Sequence, residues 1–127
     1  MRRGWEDRRH RMHERLWLAL KKLDLTETQK AAIHRIRIST VKDMIQKRAD
    51  LKVAQLEFRE QLRKDSVEMS AVESQVKKLE GLKTIMTLNS IKAREEIKST
   101  LTPDQRKRLA ELMQASRMDR DPMRPKG

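Results

Sequence analysis

The chain has 127 residues and a mass of 15.1 kDa, which leaves room for one modest domain and no second independent one. Its 31 Lys plus Arg against 19 Asp plus Glu give a formal net charge of +12, so an acidic or amphipathic partner is expected. The absence of Cys excludes disulfides, thiolate metal sites and Cys nucleophiles. No apolar run of ~18 residues is present to span a membrane.

The composition predicts an all-α protein, because 39% of the residues are charged and only three Gly and three Pro are present. Helix-start and helix-end signals divide the chain into four helices, at residues 6–22, 27–64, 71–99 and 103–117. We expect a single helical domain over 1–117, followed by a flexible C-terminal tail over 118–127 that is rich in Pro and charge.

The second and fourth helices begin with the same five-residue pattern, LTETQ in one case and LTPDQ in the other. In each, the Thr suits the N-cap position and the Gln three residues later can reach back to it, which is a capping box. The residues of this pattern, with a predicted structural role, are Leu25, Thr26, Gln29, Leu101, Thr102 and Gln105. A third capping box is predicted at Ser70 and Glu73, at the start of the third helix.

The second helix has apolar residues in two lanes at helical spacing. The lane predicted to face the core contains Ile33, Ile36, Met44, Leu51, Ala54, Phe58 and Leu62. The other lane contains Ile38, Val41, Ile45, Ala49 and Leu56, and is mixed with Lys and Arg. The core lane predicted for the third helix contains Val72, Val76, Leu79, Leu82, Met86, Ala93 and Ile97, which leaves Ile85, Leu88 and Ile91 elsewhere.

The short link between the second and third helices predicts that they form a long antiparallel hairpin. Two short helices, the first with Met12, Leu16, Ala19 and Leu23 and the last with Leu109, Leu112 and Met113, are predicted to cover its open end. The second apolar lane then stays uncovered, which predicts a binding surface and most simply a homodimer. Gly81 inside the third helix indicates a bend or a close helix contact.

The two LTxxQ pentads, in a basic, cysteine-free chain with this helix pattern, resemble the Spy/CpxP family of periplasmic proteins, a group that includes the heavy-metal-resistance relatives ZraP and CnrX. The resemblance implies an ATP-independent periplasmic chaperone or envelope-stress protein, folded as a bent helical hairpin and paired into a cradle-like dimer. Its implied partners are unfolded or misfolded client proteins, with a membrane sensor protein as a further candidate. A periplasmic location requires a leader or anchor that is absent from this sequence.

A protein that holds unfolded chains without ATP needs weak apolar contacts, together with charges that attract clients and keep the holder soluble. The second lane of the second helix supplies both kinds of group. The predicted client or dimer surface consists of Arg35, Ile38, Val41, Lys42, Ile45, Lys52, Leu56 and Arg59. The alternative for each of these residues is dimer packing bordered by a solvated basic face.

A metal site is the main alternative function, in a zinc-binding heavy-metal resistance or sensor protein of the same fold. His10 and His13 are three residues apart on the first helix and can point the same way, so they could share a zinc ion. No cofactor is required for the chaperone interpretation. The nickel- and cobalt-sensing relatives have ligands at places held here by Leu16, Leu20 and Arg37, so that sensor site is absent.

Nucleic-acid binding and catalysis have less support. Acidic residues interrupt the basic ones along the helices, and the aromatic residues that stack on bases are nearly absent, so no nucleic-acid partner is expected. The chain has no Gly-rich phosphate loop, no Cys and only three His, and an enzyme is therefore not expected.

Overall fold

A computed structural model of the chain describes residues 14–119. Within this range the chain forms four helices and no strand, which confirms the predicted all-α fold. The helices are α1 (residues 14–21), α2 (Glu27–Leu62), α3 (Met69–Ser99) and α4 (Pro103–Asp119). None of the helices described is both long enough and apolar enough to cross a membrane.

The third capping box was predicted in the wrong place. The backbone N–H of Val72 donates to the carbonyl of Glu68 at 3.1 Å, and α3 begins at Met69. Ser70 therefore lies inside the first turn of the helix, where its side chain cannot act as the N-cap. Glu68 supplies the carbonyl that accepts the first hydrogen bond of the helix, so α3 begins at Met69 and not at the predicted residue 71.

The chain divides into two compact units. One contains the described residues up to Lys30 together with those from Ser99 onward, and the other is Ala31–Lys98. The first unit has its own apolar core: the buried residues are Leu16, Ala19, Leu20, Leu23, Leu101 and Leu109. Leu112 and Met113 are half-buried, and Met12 lies outside the described residues.

The second unit is the predicted antiparallel hairpin of α2 and α3. Gln75 Nε2 donates to the carbonyl of Ala54 at 2.8 Å, and Asn89 Nδ2 donates to Asp43 Oδ2 at 2.7 Å. Residue numbers thus fall along α2 as they rise along α3, which is the register of antiparallel neighbours. The packing of these two helices against each other confirms the hairpin.

The interior of the hairpin is built mainly from the predicted lanes. Its buried apolar residues are Ile33, Met44, Leu51, Ala54, Leu79, Met86, Ala93 and Ile97. Two residues were assigned to the core wrongly: Leu62 is 50% exposed and Val76 is 40% exposed. Leu62 is the last residue of α2, and the inward place beside Val76 is taken by Gln75, whose side chain bonds to the backbone of α2.

Candidate functional site

Both LTxxQ pentads have the reciprocal hydrogen bonds of a capping box. The Gln29 backbone N–H donates to Thr26 Oγ1 at 3.1 Å, and the Thr26 backbone N–H donates to Gln29 Oε1 at 2.9 Å. The same two bonds between Thr102 and Gln105 measure 3.2 Å and 2.9 Å. The two pentads therefore open α2 and α4 with the same local structure.

The two pentads also bond to each other through their glutamine side chains. Gln29 Nε2 donates to Gln105 Oε1 at 2.7 Å, and Gln105 Nε2 donates to Gln29 Oε1 at 3.2 Å. Gln29 Nε2 also donates to the carbonyl of Thr100, and Gln105 Nε2 donates to the carbonyl of Asp24, at 3.0 Å and 2.8 Å. Thr100 and Asp24 each lie two residues before the capping Thr of their own pentad. The contacts are thus related by an approximate two-fold symmetry.

This glutamine pair explains why the pentad occurs twice. A side-chain amide has two N–H donors and an oxygen with two lone pairs. Both donors and both lone pairs of Gln29 and of Gln105 are used in the bonds just described. Each pentad needs the other to satisfy its amide, and neither amide keeps a polar group with which to bind a ligand. The two caps were predictable from the sequence, whereas the glutamine pair was not predicted; the identical spacing of Thr and Gln in the two pentads was the available signal.

The predicted client or dimer surface lies along one side of α2. We use the term outward face of α2 for the exposed residues Arg35, Ile38, Val41, Lys42, Ile45, Lys52, Val53, Leu56 and Arg59. At about 100° per residue, Ile38 and Leu56 project in the same direction, roughly opposite to the buried Ala54. These two residues are 18 positions apart, so the face extends for about 27 Å along the helix.

The apolar residues of the outward face are large and well exposed. Ile45 is 59% exposed and Leu56 is 55% exposed, and Ile38, Val41 and Val53 are exposed as well. Val53 was not among the residues predicted for this surface, although its spacing of three residues from Leu56 places it on the same side of a helix. The sequence signal that found the other residues was therefore sufficient to find this one.

The charged residues of the outward face are all basic. They are Arg35, Lys42, Lys52 and Arg59, and among residues 14–119 none of the four has an ion-pair partner. Three acidic residues lie in the same stretch of α2, and of these Asp50 accepts from Gln46 of the same helix at 3.1 Å. Asp43 accepts from Asn89 of α3, and Glu57 lies 3.4 Å from Lys78 of α3. Between Arg35 and Arg59 the outward face therefore offers cations and apolar groups together, and the next carboxylate on the same side of α2 is that of the exposed Glu60, four residues after Leu56.

The proposed metal ligands His10 and His13 lie outside the described residues. Within residues 14–119, no group of three or more His, Cys, Asp or Glu side chains is arranged to hold a metal ion. His34 is exposed on α2. Zinc binding stays a prediction, and a calorimetric zinc titration of the protein and of a variant with both His10 and His13 replaced by Ala tests it.

No protein-family model, curated protein or solved structure matches this chain. The resemblance to the Spy/CpxP family therefore stays a prediction that depends on the two pentads and the helix pattern. The function has to be inferred from the surfaces of the molecule.

Proposed function

We propose that this protein holds partly unfolded or misfolded proteins without ATP, on the outward face of α2. The observation on which this depends is the coincidence of five exposed aliphatic side chains with four basic residues that have no ion-pair partner within the described chain. Contiguous exposed apolar surface on a soluble protein marks an interaction site. The periplasmic location is supported only by the family resemblance.

The basic residues of the face act first. A net charge of +12 attracts acidic and partly acidic chains over about 10 Å at ordinary salt, and raises the rate at which they meet the protein. The interaction is weak at each basic residue, because Lys42 and Lys52 are exposed and water screens their charge. Electrostatic attraction therefore concentrates clients near α2 without fixing their sequence or conformation.

The apolar residues of the face act once the client is close. Each exposed aliphatic side chain that a client covers contributes roughly 25 cal/mol per Å² of apolar area removed from water. Such contacts are not directional, so different client sequences can make them. A client that folds buries its own apolar residues and loses these contacts, and its release then needs no ATP.

An aggregation assay tests this proposal. Purified protein should slow the aggregation of a reduced or thermally unfolded client, measured by light scattering. Ile45→Ser combined with Leu56→Ser should remove most of this effect, because the two most exposed apolar side chains of the face are lost. The matched control is Leu18→Ser on α1, a position that is 56% exposed. Equal protection by the double variant and the control would reject the outward face of α2 as the client surface.

The charges of the face are tested by the rate of client binding. Lys42→Glu combined with Lys52→Glu should lower the association rate for an acidic client by about tenfold at low salt and by less at high salt. The control is Lys107→Glu combined with Lys21→Glu, which makes the same change of net charge at exposed positions of α4 and α1. If both double variants slow association equally, net charge is responsible and the outward face is not.

A further inference from the structure

The apolar residues of the outward face of α2 include a line along its centre. Ile38 and Leu56 project in the same direction, and Ile45 lies within about 20° of that direction. The exposed Ala49 lies about 20° to the other side of it. These four residues form what we call the central line, which runs for about 27 Å along the helix.

The basic residues of the face lie on both sides of the central line. Lys42 and Arg35 project about 40° and about 60° to one side. Lys52 and Arg59 project about 40° and about 60° to the other side. All four are exposed, and within residues 14–119 none has an ion-pair partner. The face therefore has an apolar centre with two free cations on each margin.

The carboxylates on this side of α2 come before and after the face. Glu27 precedes it and is paired with Lys30 at 3.4 Å, and Glu60 follows it and is paired with Arg63 at 3.6 Å. The other acidic residues of the helix project about 100° or more away from the central line, and they are Asp43, Asp50 and Glu57. The two basic margins are therefore not neutralised from within the face.

From this arrangement we infer that the outward face of α2 also binds the surface of an anionic phospholipid bilayer, with the helix lying parallel to that surface. A helix that lies in a membrane interface buries an apolar strip at the boundary between headgroups and acyl chains, and its polar face carries Lys and Arg. Lys and Arg suit the margins of such a strip because their stems are apolar while their charged ends stay at the headgroups. The net charge of +12 adds attraction to a negatively charged surface.

The matched margins are what favour a bilayer over another acidic partner. An unfolded chain can cover apolar and basic groups in any order, because apolar contacts are not directional. A flat, negatively charged surface meets all four cations together when they lie at similar angles on the two sides of the apolar centre. The bilayer is thus a partner of a different class from the proposed clients, and its binding does not depend on client binding. Because both need the same residues, binding of one excludes the other.

Sedimentation of the full chain with phospholipid vesicles tests the inference. Vesicles of phosphatidylcholine with about 30% phosphatidylglycerol should bind the protein about tenfold more strongly than phosphatidylcholine alone, and less so at high salt. Ile45→Ser combined with Leu56→Ser should weaken binding to the anionic vesicles by about tenfold, whereas Leu18→Ser should leave it unchanged. Equal binding to both kinds of vesicle would overturn the inference. So would unchanged binding of the double variant, because charge alone would then explain the attraction.

The margins are tested by a comparison at constant net charge. Lys42→Glu combined with Lys52→Glu places a carboxylate on each side of the central line, and should weaken binding to the anionic vesicles severalfold more than Lys21→Glu combined with Lys107→Glu. Far-UV circular dichroism should show an intact helical fold for both double variants. An equal loss of binding in the two would show that the total charge of the protein is responsible, and would overturn the assignment to this face.

A fluorophore on a single cysteine reports which side of the hairpin meets the lipid, because the natural chain has no Cys. A polarity-sensitive dye on Ile45→Cys should shift to the blue when the anionic vesicles are added. The same dye on Leu88→Cys should shift much less, because Leu88 is exposed on α3 in a direction roughly opposite to the buried Met86. Equal shifts at the two positions would overturn the inference. No client is present in these measurements, so their failure leaves the client proposal standing, and the aggregation assay can fail while vesicle binding persists.

Discussion

The paired pentads and the outer surfaces of the hairpin use their side chains in opposite ways. At the pentads, Gln29 and Gln105 satisfy all the hydrogen-bonding capacity of their amides within the chain. On the hairpin, Ile45 of α2 and Leu88 of α3 keep about half of their surface exposed. The most recognisable sequence pattern of the protein therefore has an internal structural role, whereas the groups available for partners occupy helix faces with no motif.

The largest expected effect separates the inner and outer faces of α2. Leu51 is 1% exposed and Leu56 is 55% exposed on the same helix. Leu51→Ala should lower the free energy of unfolding by about 2 to 5 kcal/mol, because it leaves a cavity in the hairpin interior. Leu56→Ala should change it by less than about 0.5 kcal/mol. Urea denaturation followed by circular dichroism measures both, and equal losses would contradict the assignment of the two faces.

The glutamine pair should give the next largest effect. Gln29→Ala removes four side-chain hydrogen bonds that are partly exposed. The expected loss of unfolding free energy is about 2 to 3 kcal/mol, at the lower end of the usual contribution for each bond. Gln114→Ala, at an exposed position of α4, is the control and should change stability by less than about 0.5 kcal/mol.

A double-mutant cycle sharpens this prediction. If Gln29 and Gln105 act as a pair, the Gln29→Ala, Gln105→Ala double variant should lose at least about 1 kcal/mol less than the sum of the single variants. Unfolding of each variant can be followed by the fluorescence of Trp17 in a Trp5→Phe background, because Trp17 is half-buried in the same unit as the pair. The free energies of unfolding measured in this way complete the cycle. Additive losses would show that each glutamine serves only its own helix cap.

The caps themselves should contribute less than the pair. Thr26→Ala and Thr102→Ala should each lower the free energy of unfolding by about 1 kcal/mol, the usual value of an N-cap side chain. Their similar effect would reflect their matching bonds to Gln29 and Gln105. Thr28→Ala, inside the first turn of α2, removes no cap and should cause no loss. Thermal unfolding of the three variants provides the comparison.

The smallest expected effect is a gain in stability. Gly81→Ala should raise the free energy of unfolding of the dilute protein by up to about 1 kcal/mol, since the added methyl group enters open space on a regular helix. Urea denaturation at low protein concentration measures it. A loss of stability would indicate that Gly81 has a structural role within the chain.

The fold was largely predictable from the sequence. The caps at Thr26 and Thr102 and the spacing of residues such as Leu51 and Met86 are local signals, and the four helices and the buried lanes of the hairpin follow from them. The errors arose where a contact between helices decided the outcome. Val76 has an apolar side chain, yet the neighbouring Gln75 is the buried residue, because its amide reaches the carbonyl of Ala54.

The candidate site was predictable in part. The spacing that places Ile38, Ile45 and Leu56 on one side of a helix is visible in the sequence. The direction in which Asp43 and Glu57 make their contacts cannot be read from the sequence, because it depends on Asn89 and Lys78 of α3. The contacts that Asp43 and Glu57 make with α3, away from the basic residues of the outward face, therefore became apparent only from the structure.

Site-specific cross-linking measures directly whether clients bind on the outward face of α2. A benzophenone attached to Ile45→Cys should label an unfolded client on irradiation, and the same group at Leu18→Cys, a position of similar exposure, should label it at least severalfold less. Labelling at position 45 should fall when the client folds. Equal labelling at positions 18 and 45, or labelling at position 45 that persists with the folded client, would show that the outward face of α2 is not the surface that holds unfolded clients.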